Sequence, residues 1–351
     1  MMGISMNIQK KLGEFELSIQ LQSESSRIGI LGASGCGKSL TLKSIAGIET
    51  PDQGEILVNG VELFQSEKKI NVKPQKRNIG YLFQNYALFP HMTVEQNIAI
   101  GLRGTKEEQK KRVQEMIQKF RLTGLEKHLP GQLSGGQQQR TALARIMAYE
   151  PDMILLDEPF SALDGFLKDR LQVELEEMLE DYKGTVIMVS HSRDEVYRFC
   201  EELVILDQGS VVVSGKTKAL FSDPQYMQAA KLTGCKNFLE IQRMDSHRAV
   251  VKDWNFTLQT KKEIPEDCTY IGYRAHDLIP IWGEKSENCF AYKVRNLAEL
   301  PFERQYYISS ETEKGELCWF IQQNQYIDME EKGMPDYLQL EETKCMFLKE
   351  R

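Results

Sequence analysis

The sequence predicts an α/β fold with a parallel sheet, joined to a second, all-β region, and three observations carry that prediction. Arg27-Ile28-Gly29-Ile30-Leu31 is a short apolar run that passes into the glycine-rich stretch Gly32-Ala33-Ser34-Gly35-Cys36-Gly37-Lys38-Ser39 and then into a helix-forming segment, residues 40–48. Met153-Ile154-Leu155-Leu156 is a second apolar run, ending at Asp157 and Glu158. After Gly234, β-forming residues cluster between turn residues for the remainder of the chain.

The glycine-rich stretch matches the pattern G-x-x-x-x-G-K-[ST] in full. Glycines let successive backbone N–H groups turn inward on phosphate oxygens, where a Cβ would obstruct them. Lys38 supplies a point charge for the β- and γ-phosphates, and the Ser39 hydroxyl suits Mg²⁺. The helix that follows offers free amides and the positive end of its dipole to an anion. Nucleotide binding follows from this loop and its strand-to-helix setting.

Composition narrows the class. The 351 residues leave room for two or three domains, with 41% hydrophobic and 27% charged residues, as in an ordinary globular protein. No apolar run reaches the roughly 20 residues of a membrane span, and the N-terminus lacks a signal-peptide pattern. Seven cysteines, an odd number with no C-x-x-C pair, point to reduced thiols. The net charge of −7 gives no basic footprint for nucleic acid.

Taken in order, residues 6–22 alternate loosely and read as a β-hairpin leading into the loop strand. Phe15 lies there, either as a ring to stack on adenine or as an ordinary core phenylalanine. Residues 54–60 read as a strand ending in an Asn-Gly turn, and residues 68–77 as a solvated basic loop. Residues 78–83 form another apolar strand, followed at once by Gln84, whose amide suits a metal or a water. Tyr86, Leu88 and Phe89 place apolar surface in the next loop, as a docking site would. Residues 105–122 are helical, with an apolar stripe assigned to the core. Ser134 then caps a helix whose first residues, Gly135 and Gly136, expose backbone amides, a second anion site.

The carboxylates that end the Met153–Asp157 run sit where α/β sheets bind ligands. Asp157 is placed for the Mg²⁺ shell and Glu158 to polarise an attacking water. Residues 185–190 form a further buried strand ending at His191, positioned for the γ-phosphate. Residues 203–213 read as a hairpin and 219–232 as one closing helix.

With these pieces in order, residues 6–232 strongly resemble the ATP-binding subunit of ABC transporters. The resemblance implies that Gly32, Ser34, Gly35, Cys36, Gly37, Lys38, Ser39 and Leu40 bind nucleotide as the Walker A region. Cys36 and Leu40 stand where many members have a small hydroxyl residue and threonine. Leu133-Ser134-Gly135-Gly136-Gln137 matches the LSGGQ signature, whose residues 134–137 would contact the ATP held by a second copy. The resemblance further implies Gln84 as the Q-loop glutamine and metal ligand, Asp157 as the Walker B aspartate and Glu158 as the catalytic glutamate. Residues 161–164 correspond to the D-loop and His191 to the switch histidine. ATP and Mg²⁺ are the implied cofactors.

The implied fold is a P-loop NTPase with a helical subdomain over residues 1–234. A C-terminal all-β domain, OB-like and of the TOBE type, would cover residues 235–351. The implied partners are a second copy in a head-to-tail ATP-sandwich dimer, transmembrane permease subunits and, indirectly, an extracytoplasmic substrate-binding protein. No nucleic-acid partner is expected. The place implied is the cytoplasmic face of the membrane, in an importer.

Residues 234–238 and 274–277 (Arg274-Ala275-His276-Asp277) are similar to the molybdate/sulfate branch, so an oxyanion such as molybdate is the expected cargo. Sulfate, iron, polyamine and sugar are the alternatives. The acidic balance of the tail, 16 basic against 21 acidic residues from position 236 on, works against long-range attraction of an anion. Local hydroxyls such as Ser309 and Ser310 are then its candidate donors. A DNA-repair ATPase of the family would carry a long coiled coil or zinc hooks, and a ribosome-associated factor two cassettes.

Overall fold

The computed structural model describes residues 3–161, 165–323, 329 and 331–350, and it divides into two compact units, Met1–Thr217 and Lys218–Arg351. In the first unit the strands are β1 (Ile4–Leu12), β2 (Phe15–Ser23), β3 (Arg27–Gly32), β4 (Gln53–Val58), β5 (Val61–Gln65), β6 (Ile70–Asn71), β7 (Ile79–Leu82), β8 (Met153–Asp157), β9 (Thr185–Ser190), β10 (Glu202–Asp207) and β11 (Ser210–Lys216). The helices are α1 (Lys38–Ala46), α2 (Val94–Ala99), α3 (Lys106–Lys119), α4 (Gly135–Ala148), α5 (Gly165–Leu179) and α6 (Arg193–Phe199).

Among the described residues, one sheet takes these eleven strands in the order β6-β5-β4-β1-β2-β11-β10-β3-β9-β8-β7. The segment β10-β3-β9-β8-β7 is parallel. Its strands β8 and β9 are buried at every position, as apolar runs covered on both faces must be. The β1–β2 hairpin and the Asn59-Gly60 turn form as expected. Both turn residues have positive φ, 51° and 79°, as a type I′ turn requires.

Register sets the site. Leu31 pairs with Ser190 and Asp157 with Val189, so β3, β8 and β9 release their chains at one level. Leu82 pairs with Leu156, so Gln84 and Glu158 each follow two residues beyond their pair. Thus the carboxyl ends of the parallel strands gather the loop, both carboxylates, the glutamine and the histidine on one rim.

Two expectations for this unit change. Residues 68–77 are not wholly a solvated loop, because Arg77 is 3% exposed. Its guanidinium donates to the carbonyls of Ser44 (3.0 Å), Ile45 (2.7 Å) and Val72 (2.8 Å) and to Asn71 Oδ1 (3.0 Å). It therefore caps the end of α1, and burial pushes its pKa down to about 10. Tyr86 is also buried, at 5%, with a positive φ of 60°. Arg145 ties the loop by donating to Tyr86 O (3.0 Å) and Ala87 O (2.8 Å), leaving Phe89 as the exposed ring.

The expected closing helix is two helices, α7 (Thr217–Ser222) and α8 (Met227–Leu232). Pro224 lies between them, where its missing N–H and its restriction on the preceding residue stop a helix. The second unit begins at Lys218, ahead of the expected boundary at Gly234. Arg274 belongs to this tie, donating to Phe221 O (2.6 Å) and Thr233 O (3.1 Å).

The strands of this unit are β12 (Asn237–Arg243), β13 (Arg248–Val251), β14 (Phe256–Gln259), β15 (Tyr270–Tyr273), β16 (Ile279–Ile281), β17 (Cys289–Phe290), β18 (Lys293–Glu299), β19 (Glu303–Ser309), β20 (Glu316–Gln322), β21 (Tyr337–Gln339) and β22 (Met346–Leu348). Among the described residues they form three sheets, β14-β13-β12-β15-β22, β16-β21-β17 and β18-β19-β20, so the region after residue 235 is built on β-sheet as expected. Its core includes Trp254, Phe290 and Trp319, with the Trp254 and Phe290 rings edge-on at 4.8 Å. Ser309 and Ser310 are not open loop hydroxyls. They are 1% and 2% exposed, with Ser309 Oγ accepting from Arg295 Nε at 2.9 Å and Ser310 Oγ from the Gly315 amide at 3.2 Å.

Candidate active site

The loop between β3 and α1 is shaped by two left-handed glycines, Gly35 at φ 80° and Gly37 at φ 103°. A Cβ on Gly37 would also lie 2.4 Å from Leu17 Cδ1, so only glycine fits there. Lys38 is 5% exposed and arches back, its Nζ donating to the carbonyls of Gly32 and Ala33, each at 2.9 Å. Gly37 gives α1 no side-chain cap, so its first amides stay open to a ligand. Burial holds the Cys36 thiol above the ordinary cysteine range, with the Lys38 charge opposing. Phe15 packs against this core from the β1–β2 hairpin, its ring 3.2 Å from the Cβ position of Gly37.

Opposite the loop, Ser39 Oγ donates to Asp157 Oδ1 at 2.8 Å. The Tyr81 hydroxyl donates to Asp157 Oδ2, also at 2.8 Å. A hydroxyl and a carboxylate oxygen so close are a donor pair of the type hard divalent cations take. Glu158 follows in a left-handed backbone conformation, φ 48°, its amide bonded to Val189 O at 3.0 Å. Such strain in a non-glycine residue collects at functional sites. Its Oε2 lies 3.4 Å from His191 Nδ1, with the histidine side chain 55% exposed and the glutamate 21%.

His191 is steadied from its flanks. Ser190 Oγ donates to Glu195 (2.5 Å) and accepts from the Ser192 amide (2.8 Å), while Lys168 pairs with Glu195 (2.5 Å). Gln84 Nε2 donates to Ser161 Oγ (3.2 Å), which donates in turn to Glu158 O (3.0 Å). Residues 162–164, the remainder of the D-loop assignment, lie outside the described residues.

The signature forms its own N-terminus on α4. Ser134 Oγ accepts from the Gln137 amide (3.3 Å) and Gln137 Oε1 from the Ser134 amide (2.8 Å), a reciprocal capping box. Gly135 is exposed and Gly136 is packed, with Leu171 of α5 3.2 Å from its Cβ position. Among the described residues, no hydrogen bond or ion pair joins residues 134–137 to residues 32–39 of the same chain.

Lys38, Ser39, Gln84, Asp157, Glu158 and His191 thus share one rim, while Ser134, Gly135, Gly136 and Gln137 form a separate helix start in which Ser134 and Gly135 are exposed. Sequence reasoning missed Tyr81, Glu195 and Lys168. For Tyr81 a signal existed, since a phenol in a buried strand needs a partner for its hydroxyl. A buried carboxylate such as Glu195 follows only once the packing of α5 against α6 is known.

A parallel run of strands with a phosphate-binding loop after β3 and paired carboxylates at the end of the next strand but one, β8, defines a nucleotide-hydrolysing α/β protein. Residues 16–161 match the family model described as "ABC transporter". The chain is 37% identical over 258 residues to the Fe(3+) ions import ATP-binding protein FbpC of Haemophilus influenzae (strain 86-028NP), covering 73% of this chain and 72% of that protein. It is 44% identical over 214 residues to the putrescine transport ATP-binding protein PotG of Escherichia coli (strain K12), covering 60% and 55%. With the sulfate/thiosulfate import ATP-binding protein CysA of Thermosynechococcus vestitus it shares 42% over 231 residues, covering 64% and 67%.

Among solved structures, the dimeric post-hydrolysis ATP-binding cassette MJ0796 bound to ADP and Pi aligns with a TM-score of 0.51. It is 31% identical, over 61% of this chain and 98% of that one. The chain belongs to the ABC transporter family, as an ATP-binding subunit that hydrolyses ATP coupled to transport. Among the described residues, no helix is long and apolar enough to cross a membrane.

Proposed function

We propose that this subunit binds MgATP, pairs with a second copy, and drives import of an oxyanion through permease subunits at the cytoplasmic membrane face. The observation that carries the catalytic reading is the rim itself. Ser39 and Asp157 meet at 2.8 Å beside Lys38, and Glu158 and His191 meet at 3.4 Å next to them.

Ser39, Asp157 and Gln84 would hold Mg²⁺, which neutralises phosphate charge when bound. Lys38 and the open amides of α1 orient the β- and γ-phosphates. Glu158 accepts the proton of the attacking water, and His191 orients its carboxylate and faces the γ-phosphate. Ser134, Gly135, Gly136 and Gln137 form a capped helix start that, among the described residues, shares no hydrogen bond or ion pair with its own chain's loop. This supports a head-to-tail dimer in which each signature completes the partner copy's site.

The similarity to sulfate/thiosulfate relatives supports the oxyanion class, within which molybdate is our specific assignment. Iron or polyamine import is the second reading, because relatives with those names are comparably similar. Cargo selection would lie with the permease and an extracytoplasmic binding protein. The test is uptake into proteoliposomes bearing this subunit and its own permease. ATP-dependent accumulation of radiolabelled molybdate supports the assignment, sulfate alone supports only the oxyanion class, and exclusive uptake of iron or putrescine replaces both.

A further inference from the structure

Asp157 is 7% exposed, and each of its carboxylate oxygens accepts from a different hydroxyl. One donor, Ser39, belongs to the phosphate loop. The other, Tyr81, lies on β7 and belongs to none of the motifs that define the site. Tyr81 pairs with Leu155 across the parallel β7–β8 register. Asp157, two residues beyond Leu155, therefore points to the same face as the phenol. The ring is 8% exposed and lies 4.3 Å from that of Phe83, tilted by 38°, so the hydroxyl is aimed by packing.

We propose that Tyr81 is a positioning residue that locks the Asp157 carboxylate and thereby selects a small, octahedral cation over a larger one. The proposal rests on the reading of Asp157 as part of the Mg²⁺ shell. Mg²⁺ demands near-ideal octahedral geometry, whereas Ca²⁺ accepts six to eight oxygens and bidentate carboxylates at longer distances. A carboxylate held at both oxygens keeps one orientation and cannot turn to present a second oxygen. Without the phenol hydroxyl, Oδ2 loses its donor and the group is free to turn, which favours the larger ion.

The test uses the full chain with a non-hydrolysable ATP analogue and Mn²⁺ as a spectroscopic probe. Mn²⁺ binding is followed by electron paramagnetic resonance in wild type, Tyr81→Phe and Asp157→Asn, and Ca²⁺ is then titrated as competitor. Tyr81→Phe should weaken Mn²⁺ about fivefold, the loss of one hydrogen bond, while Ca²⁺ holds its affinity, so the Ca²⁺-to-Mn²⁺ ratio rises about fivefold. Asp157→Asn should weaken both ions. An unchanged ratio in Tyr81→Phe, or a parallel loss of both ions, with Asp157→Asn still impaired, overturns the role of Tyr81 alone. Wild-type Mn²⁺ binding by Asp157→Asn overturns the underlying metal reading and the proposal with it.

Discussion

Arg77 offers a sharp test of how the phosphate-loop helix is anchored. Its guanidinium makes four hydrogen bonds, two of them to Ser44 and Ile45 carbonyls at the end of α1. Bonds to a charged donor contribute about 1.5–3 kcal/mol each, so their sum would reach roughly 6–12 kcal/mol. Against this stands the cost of burying the charge, visible in the pKa lowered to about 10, which a neutral replacement relieves. Arg77→Met keeps most of the stem packing and should therefore cost about 3 kcal/mol. For a unit of about 200 residues that is roughly 6–12 °C in the Tm of the first unit.

Arg77→Lys should fall between the two, because a single ammonium cannot fork across carbonyls on two segments. Differential scanning calorimetry of the full chain, following the nucleotide-sensitive transition, measures both. A shift below about 2 °C for Arg77→Met, or a lysine variant equal to wild type, would refute the capping argument.

Two further predictions follow from the same unit. Phe89, 44% exposed with the Arg145 guanidinium 5.6 Å over its ring, should serve the permease contact. Phe89→Asp should abolish coupled uptake while basal ATPase stays within about twofold, and joint loss of ATPase and folding would assign the ring to local packing instead. Cys36, buried with its pKa raised above the usual thiol value, should alkylate more slowly than a free thiol at pH 8. Its rate should climb as pH rises past 9, and MgATP should slow it further; mass spectrometry of the labelled peptide reads both, and fast labelling at pH 8 would contradict the burial argument.

The parallel strands and their rim were legible because glycine spacing, buried apolar runs and the carboxylates at their ends are local in sequence. The signature N-cap was legible for the same reason, since Ser134 and Gln137 satisfy each other within four residues. What sequence did not reveal depends on distant partners. Arg77 looks like one more basic loop residue until the end of α1 is packed beside it. Tyr86 looks like exposed apolar surface, yet Arg145 draws its carbonyl inward and the ring follows. Tyr81 gains meaning only when β7 and β8 are in register, and Pro224 divides a segment whose apolar pattern alone suggests one helix.

In the proposed mechanism Glu158 removes the proton of the attacking water while taking no necessary part in holding nucleotide. Size-exclusion chromatography of Glu158→Gln with MgATP, together with its turnover, separates the two roles. The amide keeps the shape and lacks the base, so turnover should fall about 10²- to 10⁴-fold while ATP affinity is retained. The chain should then elute as an ATP-bound dimer. A variant that remains monomeric and hydrolyses ATP at near the wild-type rate would contradict the account.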